Sequence, residues 1–447
     1  MKSVDSLSPR SPAFALEAEA GTPPTSGQPH GAASRSLRKR DIVAANIGAF
    51  FEWFDLLVYA MFALTISKLF FPTTDPKVAT LLSLLTFASS YLVRPVGAVV
   101  LGIYADKHGR RAAMSLAATL MLLGTLLMAF VPTYAHIGVL APALLVFGRL
   151  LQGFSVGGEF GSANSYLTEQ HPKWKAMLGS LQFSVSGFAV MLSSLFALSL
   201  NHILTPAQVE SWGWRTPFIF GLLIGPVGVY MRKRIQESAA FENEAPRVRT
   251  PLAETFHSHV PFMLIGLMIV AAGNVASFLN IYMPTFAQRS LGISKDIAFT
   301  ASICSGIVAT IVPVFGGYVA DRFGTRRVMG IALVIGLCML YPLFYLLTHS
   351  PSFGTLALFQ CAMSFVFYSF YYAPVSSVLS QLFPTSCRTT AVSITYVGSQ
   401  LLFGGITPLV VNALVDASGS VMAPAWYVTG IGVISLLGLY LARKRVD

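Results

Sequence analysis

Apolar stretches of about 20 residues or more, the length a bilayer-spanning helix needs, recur along most of the chain, separated by short polar connections. They run near residues 41–70, 78–104, 112–131, 138–167, 177–203, 215–232, 260–288, 297–320, 328–347, 354–382, 389–414 and 424–442. Val78 to Tyr104, Ala112 to Val131 and Phe262 to Phe286 are too long and too uniformly apolar for soluble core helices. A closed membrane barrel would alternate apolar and polar residues at every second position, and no such alternation is present. The pattern predicts an all-α membrane protein of about twelve transmembrane helices, because in lipid a helix satisfies its own backbone polar groups.

Two segments break the pattern. Met1 to about Leu37 is rich in Ser, Pro, Ala and Gly and has no apolar run that could form a signal-peptide core; the expectation is a disordered cytosolic tail over 1–37. Arg234 to His259 is polar and contains prolines. The division expected is therefore a six-helix bundle over 38–233, a cytosolic linker over 234–259 and a second six-helix bundle over 260–447.

An internal repeat supports that division. GIYADKHGRR (Gly102 to Arg111) follows the second apolar segment, and GGYVADRFGTRR (Gly316 to Arg327) follows the eighth. Setting Asp321 on Asp106 gives an offset of 215 residues (321 minus 106), which also aligns Gly317 on Gly102, Gly324 on Gly109 and Arg326 on Arg111. Six segments per copy makes the repeat parallel. Glycine permits close packing and tight turns, an aspartate can cap a helix N-terminus, and arginines anchor to anionic headgroups. Gly102, Asp106, Gly109, Arg110 and Arg111, with Gly317, Asp321, Gly324 and Arg326, are the expected gating loops that latch one half against the other; ordinary short turns are the plainer alternative.

Composition and charge agree with the membrane assignment. Charged residues make up 11% of the chain, against about a quarter in soluble domains. The net charge of +11 does not mark a nucleic-acid protein, because Lys and Arg cluster in alternate connections and form no continuous patch. By the positive-inside rule those connections and both termini are cytoplasmic. The four cysteines show neither disulfide nor metal-ligand spacing, so no cofactor or metal is expected.

Ionisable residues inside the membrane are costly and mark function by default. The candidates are Glu52 and Asp55 in the first segment, Arg94 in the second, and Arg149 and Glu159 in the fourth, all in the N-terminal half. At equivalent depths the C-terminal half offers neutral polar groups such as Asn274, Asn280, Gln360, Gln400 and Asn412. Glu52 and Asp55 share a helix face with Tyr59 one turn on; Arg149, Gln152 and Glu159 fall within an arc of about 80°. Two cross-helix groupings are expected, Asp55 with Arg149 near mid-depth and Arg94 with Glu159 nearer the cytoplasm. Ion pairing for stability alone is the competing explanation, but desolvation can exceed the Coulomb gain. Burial disfavours a carboxylate's charge and a nearby guanidinium favours it, so a motion that changes their separation moves a proton. Asp55 or Glu52, then Glu159, are the expected proton carriers, and Arg94 and Arg149 the anion-binding groups. Tyr59, Gln152, Gln182, Asn280, Tyr371 and Gln400 complete the expected substrate-binding set.

The duplicated loop, RLLQGFSVGGEF (Arg149 to Phe160) and the twelve segments resemble the major facilitator superfamily. Within it, FFEWFDLLVYA (Phe50 to Ala60), YLVRPVGA (Tyr91 to Ala98), QGFSVGGEFG (Gln152 to Gly161), WGWRTPF (Trp212 to Phe218) and LFPTSCRTTA (Leu382 to Ala391) are similar to the metabolite:proton symporter family. The resemblance implies a transporter of the bacterial inner membrane that rocks two halves around a central site, with protons as the coupling ion. Family members carry citrate-like acids, 2-oxoglutarate, shikimate, or zwitterions such as proline and betaine. FGGITPL (Phe403 to Leu409) is most similar to citrate-type carriers, so a small organic anion is the expected substrate and a zwitterion or shikimate the alternative; the expected working unit is a monomer. Relatives often carry Tyr where Phe54 stands, which removes a hydroxyl beside Asp55. Antiporters and exporters typically have a Gly-Pro-rich fifth helix, and Gly179 to Leu200 contains no proline. A membrane-embedded enzyme would need a nucleophile with an aligned base or a ligand cluster, and the deep segments offer neither.

Overall fold

In the computed structural model the described residues are 39–108, 110–157, 164, 167–168, 173–226, 259–384, 388–444 and 446. The tail expected over 1–37 and most of the linker expected over 234–259 lie outside them. Lys39–Asp447 forms one compact unit.

The first apolar segment is expected as one helix and is two: α1 (Lys39–Met61) and α2 (Ala63–Phe70), bent by 66° at Phe62. No glycine or proline sits at the bend. It is held by burial of Phe62 and by the Ser83 hydroxyl, which donates to the Ala63 carbonyl at 3.1 Å. Then follow α3 (Pro76–His108), α4 (Arg110–Phe130), α5 (Leu140–Val156), α6 (Lys175–Ile203) and α7 (Thr216–Gly221). The expected fourth and sixth helices both run on into residues outside the description. After them come α8 (Val260–Ser290), α9 (Lys295–Phe323), α10 (Thr325–His349), α11 (Phe353–Leu382), α12 (Thr390–Ser418) and α13 (Ala423–Leu441). Among the described residues, eight helices are long and apolar enough to span a bilayer, or nine with the bent pair; α4 and α5 are shorter apolar helices.

The interior separates along the chain. One apolar cluster is built mainly from α1 to α7 and includes Phe54, Tyr59 and Trp214; the other comes mainly from α8 to α13 and includes Leu340, Phe344 and Tyr371. Large apolar side chains also cover the outside, such as Leu92, Ile311, Phe315 and Val433. In a bilayer this exposure is the favourable state, and helix association depends instead on small residues that let backbones meet. Gly153 of α5 and Gly157 at its end do this: a Cβ at either would overlap the Ser90 or Arg94 carbonyl of α3. Gly187 of α6 sits on the backbone of Ala309 and Thr310 in α9, while Gly306 and Gly317 of α9 sit on Met191 and Ala176 of α6. The two halves therefore meet along α6 and α9 with almost no side chain between.

Proline shapes α8. Pro284 cannot donate to the carbonyl four residues earlier, and Gln360 of α11 points its amide nitrogen at that carbonyl, Asn280 O, at 3.4 Å. Helices α11 and α12 each widen into a π-helical stretch, Ser364–Tyr372 and Gln400–Gly404. Such stretches frequently accompany functional sites.

Candidate functional site

Among the described residues, the buried charged side chains are Asp55, Arg94 and Arg149. With Glu52, Ser90, Gln152 and Gly153 they line one narrow pocket between α1, α3 and α5. Helical spacing on α1 turns Glu52 and Asp55 to the same side, and the glycine contact between α3 and α5 brings Arg94 and Arg149 in behind them.

Arg149 lies 3.8 Å from the Asp55 carboxylate and donates to Gln152 Oε1 at 3.0 Å; its second nitrogen reaches Ser90 Oγ at 3.4 Å. Gln152 closes the arrangement, its amide nitrogen donating to Asp55 Oδ2 and to Thr125 Oγ1. The guanidinium also stands over the Tyr59 ring, 4.8 Å from its centroid, while the Tyr59 hydroxyl donates to the Ser83 carbonyl at 3.0 Å. Asp55 Oδ1 and Arg149 Nε have no hydrogen-bond partner among the described residues. A carboxylate and a guanidinium are thus held near each other through an amide, each with one polar atom to spare.

Arg94 belongs to a second grouping, for which Glu159 is the expected partner. It lies 3.8 Å from Glu52 and donates to Gln400 Oε1 of α12 at 2.6 Å. Its Cζ stands 4.1 Å above the Tyr91 ring. Glu159 lies outside the described residues. Phe54 is fully buried among Phe50, Phe196 and Phe220, on the far side of α1 from the ion pairs. Asp55 takes its hydrogen bond from the Gln152 amide, which also donates to Thr125 Oγ1.

The other expected substrate-binding residues are dispersed. Gln182 is buried on α6 with its Oε1 unpartnered among the described residues. Asn280 is engaged within the second half, donating to Ser305 and Ser364 at 3.0 and 2.9 Å. Tyr371 does not line the pocket: its hydroxyl donates to the Ile269 carbonyl and its ring packs in the α8–α13 core. On a wide π-helical turn, side chains three and four residues apart no longer stack as in an α-helix, and Tyr372 rather than Tyr371 joins the hydrogen bonds to Asn274 and Tyr396. Tyr372 hydrogen-bonds Asn274 and the Tyr396 hydroxyl, the latter at 3.1 Å, and Tyr396 hydrogen-bonds Gln400.

Sequence reasoning missed Tyr91 and Tyr396. Tyr91 was legible, being one turn before Arg94 on the same helix face. Tyr396 stands one turn before Gln400 in the same relation, but nothing in the sequence marked α12 as the neighbour of α3.

The second copy of the duplicated loop makes a cross-half contact. Asp321 accepts from the backbone N–H groups of Ala176 and Met177, both at 2.9 Å, and so caps the first turn of α6. Tyr318 stacks on Trp174 beside it, centroids 5.4 Å apart. Gly324 has φ +93° between α9 and α10, a conformation that favours glycine. Arg326 lies in the first turn of α10. In the first copy, Gly102 and Asp106 are in α3 and Arg110 and Arg111 in α4; their side chains, and Gly109 altogether, lie outside the description. At the opposite end His202 of α6 approaches Asp296 of α9 at 3.8 Å. The halves thus touch at both ends of α6 and α9, and the pocket beside Asp55 and Arg149 has room for about one water molecule.

The sugar (and other) transporter family model matches residues 42–247 and again 230–442. A citrate-proton symporter of Klebsiella pneumoniae is 31% identical over 90% of this chain and 91% of its own. One from Salmonella typhi is 33% identical, over 93% and 97%. A putative proline/betaine transporter of Staphylococcus haemolyticus is 35% identical, over 89% and 86%. Among solved structures, a D-xylose-proton symporter superposes with a TM-score of 0.71 at 20% identity, covering 91% of this chain and 97% of the other, a likeness of fold. Eight to nine spanning helices among the described residues, a two-fold match of one family model and full-length relatives lead to one conclusion: the chain belongs to the sugar (and other) transporter family, and is an integral membrane transporter of the major facilitator fold and not an enzyme.

Proposed function

We propose that the protein is a proton-coupled symporter of a small organic acid, a citrate-like di- or tricarboxylate, working by alternating access. The observation that carries this is the pairing, in one pocket, of a buried carboxylate and guanidinium (Asp55 and Arg149) with a second buried guanidinium (Arg94) that reaches the other half. Asp55 is the proton carrier, with Glu52 and then Glu159 next in order. When Arg149 is near, Asp55 is held as the anion; when a substrate carboxylate draws Arg149 off, the charged form of Asp55 loses its counter-ion and takes a proton. Binding of substrate and of proton thereby favour each other. Guanidinium suits the substrate side, being always charged and able to hold a carboxylate through two parallel hydrogen bonds. The relatives named as citrate-proton symporters support this assignment.

A second reading is a zwitterion such as proline or betaine. It is favoured by the aromatic wall beside Arg94, where the Tyr91 ring meets Phe278 edge to face with centroids 5.4 Å apart; an ammonium can lie on such faces. The Staphylococcus relative points the same way. The protein is placed in a bacterial inner membrane as a monomer, with both termini and the basic loops cytoplasmic.

Uptake into proteoliposomes under an imposed pH gradient separates these readings. Citrate or 2-oxoglutarate should accumulate when the outside is acidic. Gradient-independent uptake excludes proton coupling, and uptake of betaine or proline with no carboxylate accepted moves the substrate to the second reading.

A further inference from the structure

Arg94 is the point at which the ionic half touches the neutral one, and its partner there is an amide. Gln400 Oε1 accepts from Arg94 Nη1 at 2.6 Å, the same acceptor chemistry that a carboxylate oxygen offers a guanidinium. The amide is held from its own side: Tyr396 hydrogen-bonds it, Tyr372 hydrogen-bonds Tyr396, and Asn274 hydrogen-bonds Tyr372 and Ser399. The backbone is adapted as well. Gln400 opens the π-helical stretch of α12, its carbonyl accepting from Gly405 N at 2.9 Å. Gly405 in turn lies against the Tyr91 ring so closely that any Cβ would overlap it. The same ring carries Arg94. Helices α3 and α12 are thus clasped at two points one turn apart, with Arg94 on Gln400 and Tyr91 on Gly405. Two donors at the clasp, the Tyr91 hydroxyl and Arg94 Nε, are buried and have no partner among the described residues.

We infer that Gln400 is a built-in stand-in for the substrate carboxylate: in the empty carrier its amide oxygen occupies Arg94 and closes the two halves, and substrate must displace it to bind. The inference rests on the symporter reading above. A symporter must close twice per cycle, loaded on the way in and empty on the way back. Loaded, a carboxylate bridges Arg94, with the Tyr91 hydroxyl and Arg94 Nε as two further donors that Gln400 leaves unused. Empty and without Gln400, Arg94 would keep Glu52 at 3.8 Å on one side but leave Nη1 at the interface without an acceptor, and a buried guanidinium with an unsatisfied donor is expensive. The neutral amide satisfies it without adding charge, and it is weak enough to yield to an anion.

This role differs from that of an ordinary substrate ligand, and opposite effects separate the two. Gln400→Met keeps the shape and removes the acceptor. In proteoliposomes with citrate as probe, and betaine if citrate is not carried, net uptake requires the empty return while exchange does not. Net uptake should fall roughly tenfold, the size of one lost hydrogen bond to a charged group, while half-saturation for exchange shifts to lower concentration because the amide no longer competes. Gln400→Asn, whose amide is one methylene short, should reproduce the direction of both changes. Weakening of exchange and net uptake together would make Gln400 a plain ligand and overturn the inference.

A measurement without substrate keeps the two readings separable. A cysteine placed in the pocket by Ser90→Cys, in a background without the native cysteines, should be alkylated faster when Gln400→Met is added to the empty protein. Unchanged alkylation overturns the clasp, whatever the protein carries. Faster alkylation in a protein that exchanges neither citrate nor betaine leaves the clasp standing and removes the substrate assignment.

Discussion

Arg149 and Arg94 are both buried guanidiniums in one pocket, yet their partners separate their tasks. Arg149 stays within its own half, with Asp55, Gln152 and Ser90 as neighbours, whereas Arg94 spans to Gln400. Asp55→Asn keeps the size and the Gln152 contact but removes the titrating group. It should retain citrate exchange and lose pH-driven accumulation, as measured by comparing counterflow with gradient-driven uptake. Arg149→Lys keeps the charge but forfeits the planar fork that reaches Asp55, Gln152 and Ser90 together. Losing one or two charge-assisted hydrogen bonds, about 1.5–3 kcal/mol each, should raise the half-saturation concentration at least tenfold in exchange assays. The types of these residues and their intramembrane depth were legible in the sequence. Their pairing was only half legible, because Arg94 chose Glu52 and Gln400, residues 42 and 306 positions away in sequence.

At the scale of elements, glycine decides which helices touch. Gly153 of α5 meets the Ser90 carbonyl with no room for a methyl, so Gly153→Val must push α3 and α5 apart. Overpacking of this kind typically costs about 1–3 kcal/mol, and here it should also part Arg149 from Ser90. A lowered unfolding temperature in detergent, together with lost uptake, is the expected outcome. Asp321 acts at the end of a helix, giving its two oxygens to two N–H groups at the positive start of α6. Asp321→Ala leaves those donors exposed to opening of that end. Alkylation of a cysteine introduced by the near-isosteric Ser376→Cys, which packs against Gly179, should become faster, while the unfolding temperature changes little. The helices themselves were readable from apolar length. The bend at Phe62 and the π-helical stretches were not, since neither has a glycine or proline at its start and both are set by packing.

For the molecule as a whole, duplication and asymmetry coexist. Two matches of one family model describe halves with a common plan, while among the described residues the buried charged side chains all precede residue 150. The second half contributes neutral groups, among them Gln400, that answer the first half's ions without adding charge. Under the symport proposal this division has a purpose: one half carries proton and anion sites, and the other closes over them. An acid-outside gradient should therefore drive accumulation in the wild type, and collapse of the gradient with a protonophore should reduce uptake to equilibration.

The sequence by itself determined the class of molecule. Apolar runs, the scarcity of charge and the repeated loop require spanning helices in two similar halves, because the cost of exposing backbone and charge to lipid is set residue by residue. It also determined which side chains bear chemistry, since an ion in an apolar run needs a reason wherever the run goes. Only the tertiary structure decided which partners those ions take. Helix neighbours are chosen by close backbone approach at glycines such as Gly153, Gly157 and Gly405, a property of two surfaces meeting that neither segment's own pattern records.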